Sequence, residues 1–443
     1  PEPHARSAQC NAAPSSTDEP VRIEAVADQP SRRQRGSSRL TVYARAVAFA
    51  VLAAFVLSVA AGSGGQGAAG RLGGDYPAFF AAGSIVAEGD WGSLYEPARQ
   101  LEAQQQLFPA SDADFLYFAY PPYVAALYRP LAAIGYRLSY VVHTVLMATA
   151  AIAALWLLRP VVGFVRRHFE VVCIASLLFY PMLRSVTGGQ NTALTILLLA
   201  GAWRSLHDDN EVAAGLCLGL LLYKPQFALP LLALLLARGA WRAVVSGLAT
   251  GVVLWVAGAA VMGSDWLRAW WTQVASFAEL DAEVNGHNAV SILGVSEALF
   301  GAGSTAARLV AGPILAATAL ALVVLWRRPR VDLDLRFVAA VAGALLLSPH
   351  AMFYDVGVLV LVGALAIDRI GRAATGPIVT AWVLALTHLA APSLGVAPLF
   401  VVIIASGAWL TLAWHRAGWT GTVSPGSTRA GGGNAPVEVA RPT

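Results

Sequence analysis

Apolar runs of about twenty residues recur along this chain, and a run of that length is what a helix needs to cross the ~30 Å hydrocarbon layer of a membrane. The first extends from Val42 to Ala61; later ones occupy about 138–158, 170–187, 192–206, 211–223, 225–238, 241–262, 305–326, 335–348, 351–367, 374–393 and 396–414. With the first, they make twelve. In lipid each segment must satisfy its own backbone N–H and C=O groups, so the expected fold is an all-α polytopic membrane protein with about 10–12 transmembrane helices. Composition agrees: 57% of the 443 residues are hydrophobic, mean hydropathy is +0.61 and only 13% are charged, about half the usual share in a soluble domain. A water-soluble enzyme and a disordered chain are both excluded.

The charge pattern predicts a topology. Residues 1–40 are polar and rich in Ser, Pro and Arg, which predicts a disordered tail. Arg32, Arg33, Arg35, Arg39 and Arg45 lie before or at the start of the first run and place the N-terminus in the cytoplasm. The small residues Ala60, Ala61 and Gly62 leave a cleaved signal peptide as the alternative, but the run is long enough for a retained anchor. Alternating from an inside start, the arginines at 159, 166, 167, 204, 238, 242, 327, 328, 330, 336, 369, 372 and 416 all fall on one side. The membrane domain is then 41–415, with a second disordered cytoplasmic tail at 416–443. Two loops, 63–137 and 263–304, face the other side.

The first loop carries amphipathic helical patterning at Tyr76–Ala87 and Leu94–Leu107, separated by the turn-like Glu88-Gly89-Asp90-Trp91-Gly92. The second holds Trp266, Trp270 and Trp271, a pattern suited to lying flat on the outer leaflet. The stretch Tyr120–Gly135 is apolar but holds Pro121, Pro122, Arg129 and Pro130, and it is left open whether it crosses. No internal repeat is evident, and cysteines 10, 173 and 217 have no metal-ligand or disulfide spacing. The net charge of +4 follows from membrane topology and indicates no nucleic-acid partner.

Ionisable groups beside membrane helices are costly and mark function by default. Asp75 follows the first run closely, Gln190 and Asn191 come after Gly188-Gly189, Lys224 separates two runs, and His350 and Asp355 lie in Ser348-Pro349-His350-Ala351-Met352-Phe353-Tyr354-Asp355. All are expected on one face. Each has a structural alternative: Asp75 as cap of the helix containing Pro77, Gln190 and Asn191 as caps of the helix from Thr192, His350 as an interfacial histidine, Asp355 as the partner of Arg184. Lys224 is the single lysine beside 29 arginines. A compact ammonium suits phosphate oxygens, whereas snorkelling accepts arginine equally well.

At these residues the chain resembles glycosyltransferase family 87. The resemblance rests on Gly74-Asp75-Tyr76 with Tyr95, Phe118-Ala119-Tyr120-Pro121-Pro122, Gly189-Gln190-Asn191, Gly215 through Lys224-Pro225, and Ser348-Pro349-His350 through Tyr354-Asp355, over about residues 70–370. It implies a GT-C-type fold in a cell membrane, with a polyprenyl-phosphate sugar donor, usually of mannose. It also implies a lipid-linked or glycan acceptor on the extracytoplasmic side, with the loop aspartate, Asp75, as general base and His350 in the active site. Many GT-C enzymes have an acidic pair near the first helix; here Tyr76 follows Asp75, so no metal and no cofactor is expected.

The chemistry is consistent with this. Inverting transfer needs a base within ~3 Å of the acceptor hydroxyl, and the lipid phosphate that leaves needs fixed donors in a water-poor cavity. Asp75 and His350 are therefore the expected catalytic residues. Tyr76, Tyr120, Gln190, Asn191, Lys224, Tyr354 and Asp355 are the expected substrate-binding residues, and Tyr123 could stack on a sugar. A lipid or small-solute transporter or flippase is the leading alternative, but its polar residues are expected nearer the bilayer midplane. A noncatalytic envelope scaffold gives no reason for Asp75, Lys224 and His350 to meet.

Overall fold

A computed structural model describes residues 32–61, 71–108, 116–329 and 331–416. The expected tails at 1–31 and 417–443 lie outside the described residues. Every regular element among the described residues is helical, with one isolated antiparallel bridge, Ala289 to Met352. Helix α1 (Arg32–Ala61) starts inside the stretch expected to be tail. The first loop folds into α2 (Tyr76–Ala87), α3 (Pro97–Leu107) and α4 (Pro122–Ala132), close to the amphipathic segments expected there.

Next come α5 (Tyr136–Leu158), α6 (Gly163–Arg167), α7 (Phe169–Leu178), α8 (Tyr180–Thr187), α9 (Thr192–His207), α10 (Glu211–Leu220), α11 (Pro225–Arg238) and α12 (Trp241–Met262). The second loop forms α13 (Trp266–Asn285) and α14 (Ile292–Phe300). The chain ends with α15 (Thr305–Arg327), α16 (Leu333–Leu347), α17 (Leu359–Ile370), α18 (Arg372–Leu384), α19 (Ala391–Leu394) and α20 (Pro398–Arg416).

Five helices are long and apolar enough to cross a membrane alone: Thr41–Ala61, Tyr136–Leu158, Trp241–Met262, Thr305–Arg327 and Ala373–Leu394. The α7–α8 pair makes a sixth, bent by 73° at Phe179, with Pro181 in the first turn of α8. Other apolar runs form helices of 10–17 residues. The open stretch 120–135 becomes α4, whose eleven residues rise only ~17 Å, and it packs on α2 rather than crossing.

These lengths position the site. Helices α12 and α15, of 22 and 23 residues, extend ~33–35 Å, while α11 and α16, of 14 and 15 residues, extend ~21–22 Å. The short pair packs among the long helices, and the chain breaks before α11 and after α16 lie at one end of the bundle, where Lys224 meets Asp355. Lys224 lies just before α11 and His350 just after α16, both at that end. Helices α10 and α12 approach closely: a side chain at Gly215 would collide with the Ala243 carbonyl and Ser246 of α12, a small-residue contact typical of helices packed in lipid.

Candidate active site

Two glycine pairs bring the first polar groups together. The turn Gly73-Gly74-Asp75 meets Gly188-Gly189-Gln190 backbone to backbone, with the Asp75 N–H donating to the Gly188 carbonyl at 2.9 Å. Gly189 has φ +74°, and a Cβ there would lie 2.5 Å from the Tyr76 nitrogen and 2.7 Å from the Gly73 carbonyl. Only glycine serves at such a crossing. The interlock carries the Gln190 amide to the Asp75 carboxylate, to which its Nε2 donates. Asp75 stands at the N-cap position of α2 but makes no side-chain cap bond, so its carboxylate faces the site instead. Burial pushes the Asp75 carboxyl above its ordinary range; Gln190, Arg184 and Lys224 pull it back and nearby Asp281 adds to the rise.

Lys224 is placed by a 3-10 turn, Leu221–Tyr223, and by Pro225, which disfavours helix at the residue before it. Its Nζ donates to Asp355 Oδ1 at 2.7 Å. Lys224 and Asp355 are each only 3% exposed. Asp355 also accepts from Thr192 Oγ1 at 3.3 Å and from the Met352 N–H at 3.2 Å. Arg184, the partner considered for Asp355 from sequence, is exposed and does not pair with it; the ammonium reaches that carboxylate because both lie in chain breaks at the same end of the bundle.

Tyr120 completes this side, its hydroxyl 3.4 Å from Gln190 Oε1 and 3.5 Å from Asn191 Oδ1. Asn191 stands at the N-cap position of α9 without a side-chain cap bond, so its expected capping use is not made. Its carbonyl accepts from the Tyr223 hydroxyl at 3.2 Å. Tyr354 lies with its ring 6.0 Å from Lys224 Nζ. Burial raises its hydroxyl well above the ordinary value, and Asp75, Asp355, Tyr120 and Asp281 all add to that rise, which puts these groups around one space.

His350 enters through a partner that sequence reasoning missed. Its Nδ1 lies 3.7 Å from Oδ2 of Asp281, a buried carboxylate on α13 whose Oδ1 accepts from Asn285 at 2.7 Å. The Phe277 ring meets the imidazole at 5.3 Å. The spacing Trp266, Trp270, Gln273, Phe277, Asp281 is one helical stripe, and an acid continuing a tryptophan stripe was the available signal. Two of the three tryptophans expected on the outer leaflet pack into the protein. Trp266 and Trp270 are buried, their indoles donating to the Trp255 and Ala119 carbonyls at 3.0 and 3.1 Å, and only Trp271 is exposed, at 65%.

Tyr76 is not with the others. It is fully buried, its hydroxyl bonds Ser139, and its ring packs among Phe80, Tyr128, Tyr136, Tyr140 and His143. It props the Asp75 turn and does not face the site. Tyr123 packs edge-on against Trp266 at 6.3 Å. Among the described residues no three His, Cys, Asp or Glu side chains group as a metal site.

The site therefore gathers a half-buried carboxylate held by an amide, a buried ammonium–carboxylate pair, a histidine–carboxylate pair and two tyrosines. Such a set can take up a proton, donate to an anion and bond hydroxyl groups. The profile of glycosyltransferase family 87 matches residues 118–349, which is 232 of the 443 residues and includes Tyr120, Gln190, Asn191, Lys224 and Asp281. Neither the curated proteins nor the solved structures contain a match.

Proposed function

The chain belongs to glycosyltransferase family 87, and on that premise we propose that this membrane glycosyltransferase moves a sugar, mannose, from a polyprenyl-phosphate donor to a lipid-linked or glycan acceptor, with inversion. The carrying observation is the Asp75 carboxylate, held by Gln190 and raised by burial beside the Lys224 ammonium. A base with a raised pKa takes a hydroxyl proton more readily at neutral pH. Asp75 takes that proton as the acceptor oxygen attacks the anomeric carbon. The bond from that carbon to the phosphate oxygen breaks, and the lipid phosphate leaves with the electron pair.

The phosphate gains charge as it leaves. The Lys224 ammonium and the His350 ring N–H stabilise it by donating to its oxygens away from bulk water. Asp355 and Asp281 orient these two groups, while Asn191, Tyr120 and Tyr354 bond the sugar. In this reading residues 41–415 form the catalytic domain. It also places the site on the extracytoplasmic face and both termini in the cytoplasm. Supporting that orientation, Arg238 ends α11, Arg327 ends α15 and Arg336 lies in the first turn of α16, all at the end of the bundle away from Lys224 and His350, and arginines favour the cytoplasmic side. A nucleotide sugar is confined to that side, so an outward site needs a lipid-carried donor.

The test uses the full chain in proteoliposomes with radiolabelled polyprenyl-phosphate mannose, nucleotide-linked mannose as comparator, and a membrane glycolipid extract as acceptor. Label passing to the extract from the lipid donor alone is expected. Transfer from the nucleotide sugar alone would overturn the donor assignment.

A further inference from the structure

A cavity of about 410 Å³ opens between the first loop and α13, lined by Gly92, Tyr95, Glu96, Asp265, Arg268, Ala269, Thr272 and Gln273. That size falls among small-molecule sites, roughly 300–1,000 Å³. Its buried part is an amide and an aromatic: Gln273 is 6% exposed and Tyr95 is 8% exposed. The Gln273 Nε2 is buried with no hydrogen-bond partner among the described residues. An unpaired buried amide N–H is unfavourable, and a bound hydroxyl that accepts from it removes that penalty.

The rim is charged and uncommitted. Glu96 and Asp265 occupy the N-cap positions of α3 and α13 without making side-chain cap bonds. Neither they nor Arg268 form a side-chain ion pair among the described residues. Two carboxylates against one guanidinium repel a phosphate and suit neutral hydroxyls, which donate to carboxylates in charge-assisted bonds. An amide and a tyrosine beneath, with paired acids above, form a surface for a polyol ring.

The cavity adjoins the site through one residue. The Tyr95 hydroxyl donates to the Tyr120 carbonyl at 2.8 Å, and the side chain of Tyr120 reaches Gln190 and Asn191. Trp270, beside Gln273 on α13, donates to the neighbouring Ala119 carbonyl. We propose that this cavity binds an uncharged sugar ring of the acceptor, so that the acceptor is a carbohydrate held at Tyr95, Glu96, Asp265 and Gln273, on the side of Tyr120 away from Gln190 and Asn191. This rests on the glycosyltransferase reading for the role of the sugar, but not for its binding.

The test is saturation-transfer NMR on the full chain in lipid nanodiscs, with free disaccharides of mannose, glucose and galactose as probes and inorganic phosphate as competitor. At least one disaccharide should receive saturation, phosphate should not compete, and Glu96→Gln with Asp265→Asn should weaken binding by about tenfold or more. Gln273→Met, similar in size, should abolish the signal while leaving the melting temperature unchanged or higher, because it removes an unpaired amide. No saturation with any disaccharide, competition by phosphate, unchanged binding in the double variant, or a lower melting temperature in Gln273→Met would each overturn the proposal. The NMR signal requires no transfer, so its failure leaves the donor assay readable and the reverse also holds.

Discussion

The Lys224–Asp355 pair lends itself to a quantitative test by removing one charge and then both. At 2.7 Å two unit charges attract by about 6 kcal/mol at an effective dielectric constant of 20. Side-chain exposure of 4% for each partner leaves little solvent screening, and the attraction is largely offset by several kcal/mol of desolvation per ion. The intact pair is thus near neutral in net stability, while either charge alone is not. Asp355→Asn should destabilise by about 3–5 kcal/mol. The double substitution Lys224→Met, Asp355→Leu should recover most of that loss, less about 1 kcal/mol each for the Thr192 hydroxyl and Met352 N–H bonds. Reversible SDS unfolding of the full chain reads both values, and sugar transfer is read in parallel. The double variant should be stable and inactive. A cost below 1 kcal/mol for Asp355→Asn, or a double variant no more stable than the single, would refute the reasoning.

Further outcomes follow from the same geometry. Gly189→Ala should cost at least about 2 kcal/mol by SDS unfolding, because a left-handed residue acquires a Cβ 2.5 Å from backbone. Lys224→Arg should reduce transfer at least about tenfold while the protein stays folded, since a planar fork does not replace a point donor; full activity would leave Lys224 only a structural partner of Asp355. Transfer should increase with pH through the Asp75 ionisation, whose midpoint lies above the ordinary carboxylate value of ~3.9. Asp281 helps raise Asp75, so Asp281→Asn should move that acidic limb to lower pH, and a shift upward would contradict the shared cavity.

How far the sequence reached can be seen residue by residue. The helical class follows from the apolar runs, because lipid leaves the backbone few other solutions. Run length alone did not separate spans from short helices: 211–223 and 225–238 satisfy hydropathy, yet the chain turns at Lys224 and buries them against α12 and α15. The polar site was legible where residues interrupt apolar stretches, as at Gln190, Lys224 and Asp355. Pairing was not, since Lys224 and Asp355 stand 131 residues apart. Asp281 hid on a helix whose polar face reads as solvated. Tyr76 misled by adjacency: successive helical side chains point ~100° apart, so the neighbour of a site residue turns to the core.

The central claim is that Asp75 accepts the acceptor proton. Folding favours the protonated form of a carboxyl whose pKa is raised, so its contribution to stability is fully present below the unfolded-state pKa and is lost as pH climbs through the raised value. The amide variant escapes that loss and should be at least as stable as the native chain at pH 7. The most direct measurement is single-turnover transfer by Asp75→Asn with the melting temperature and donor binding recorded on the same sample. The predicted result is a rate lower by about 10²–10⁴-fold in a protein that melts no earlier and still binds donor. Native-rate transfer in that sample would contradict it.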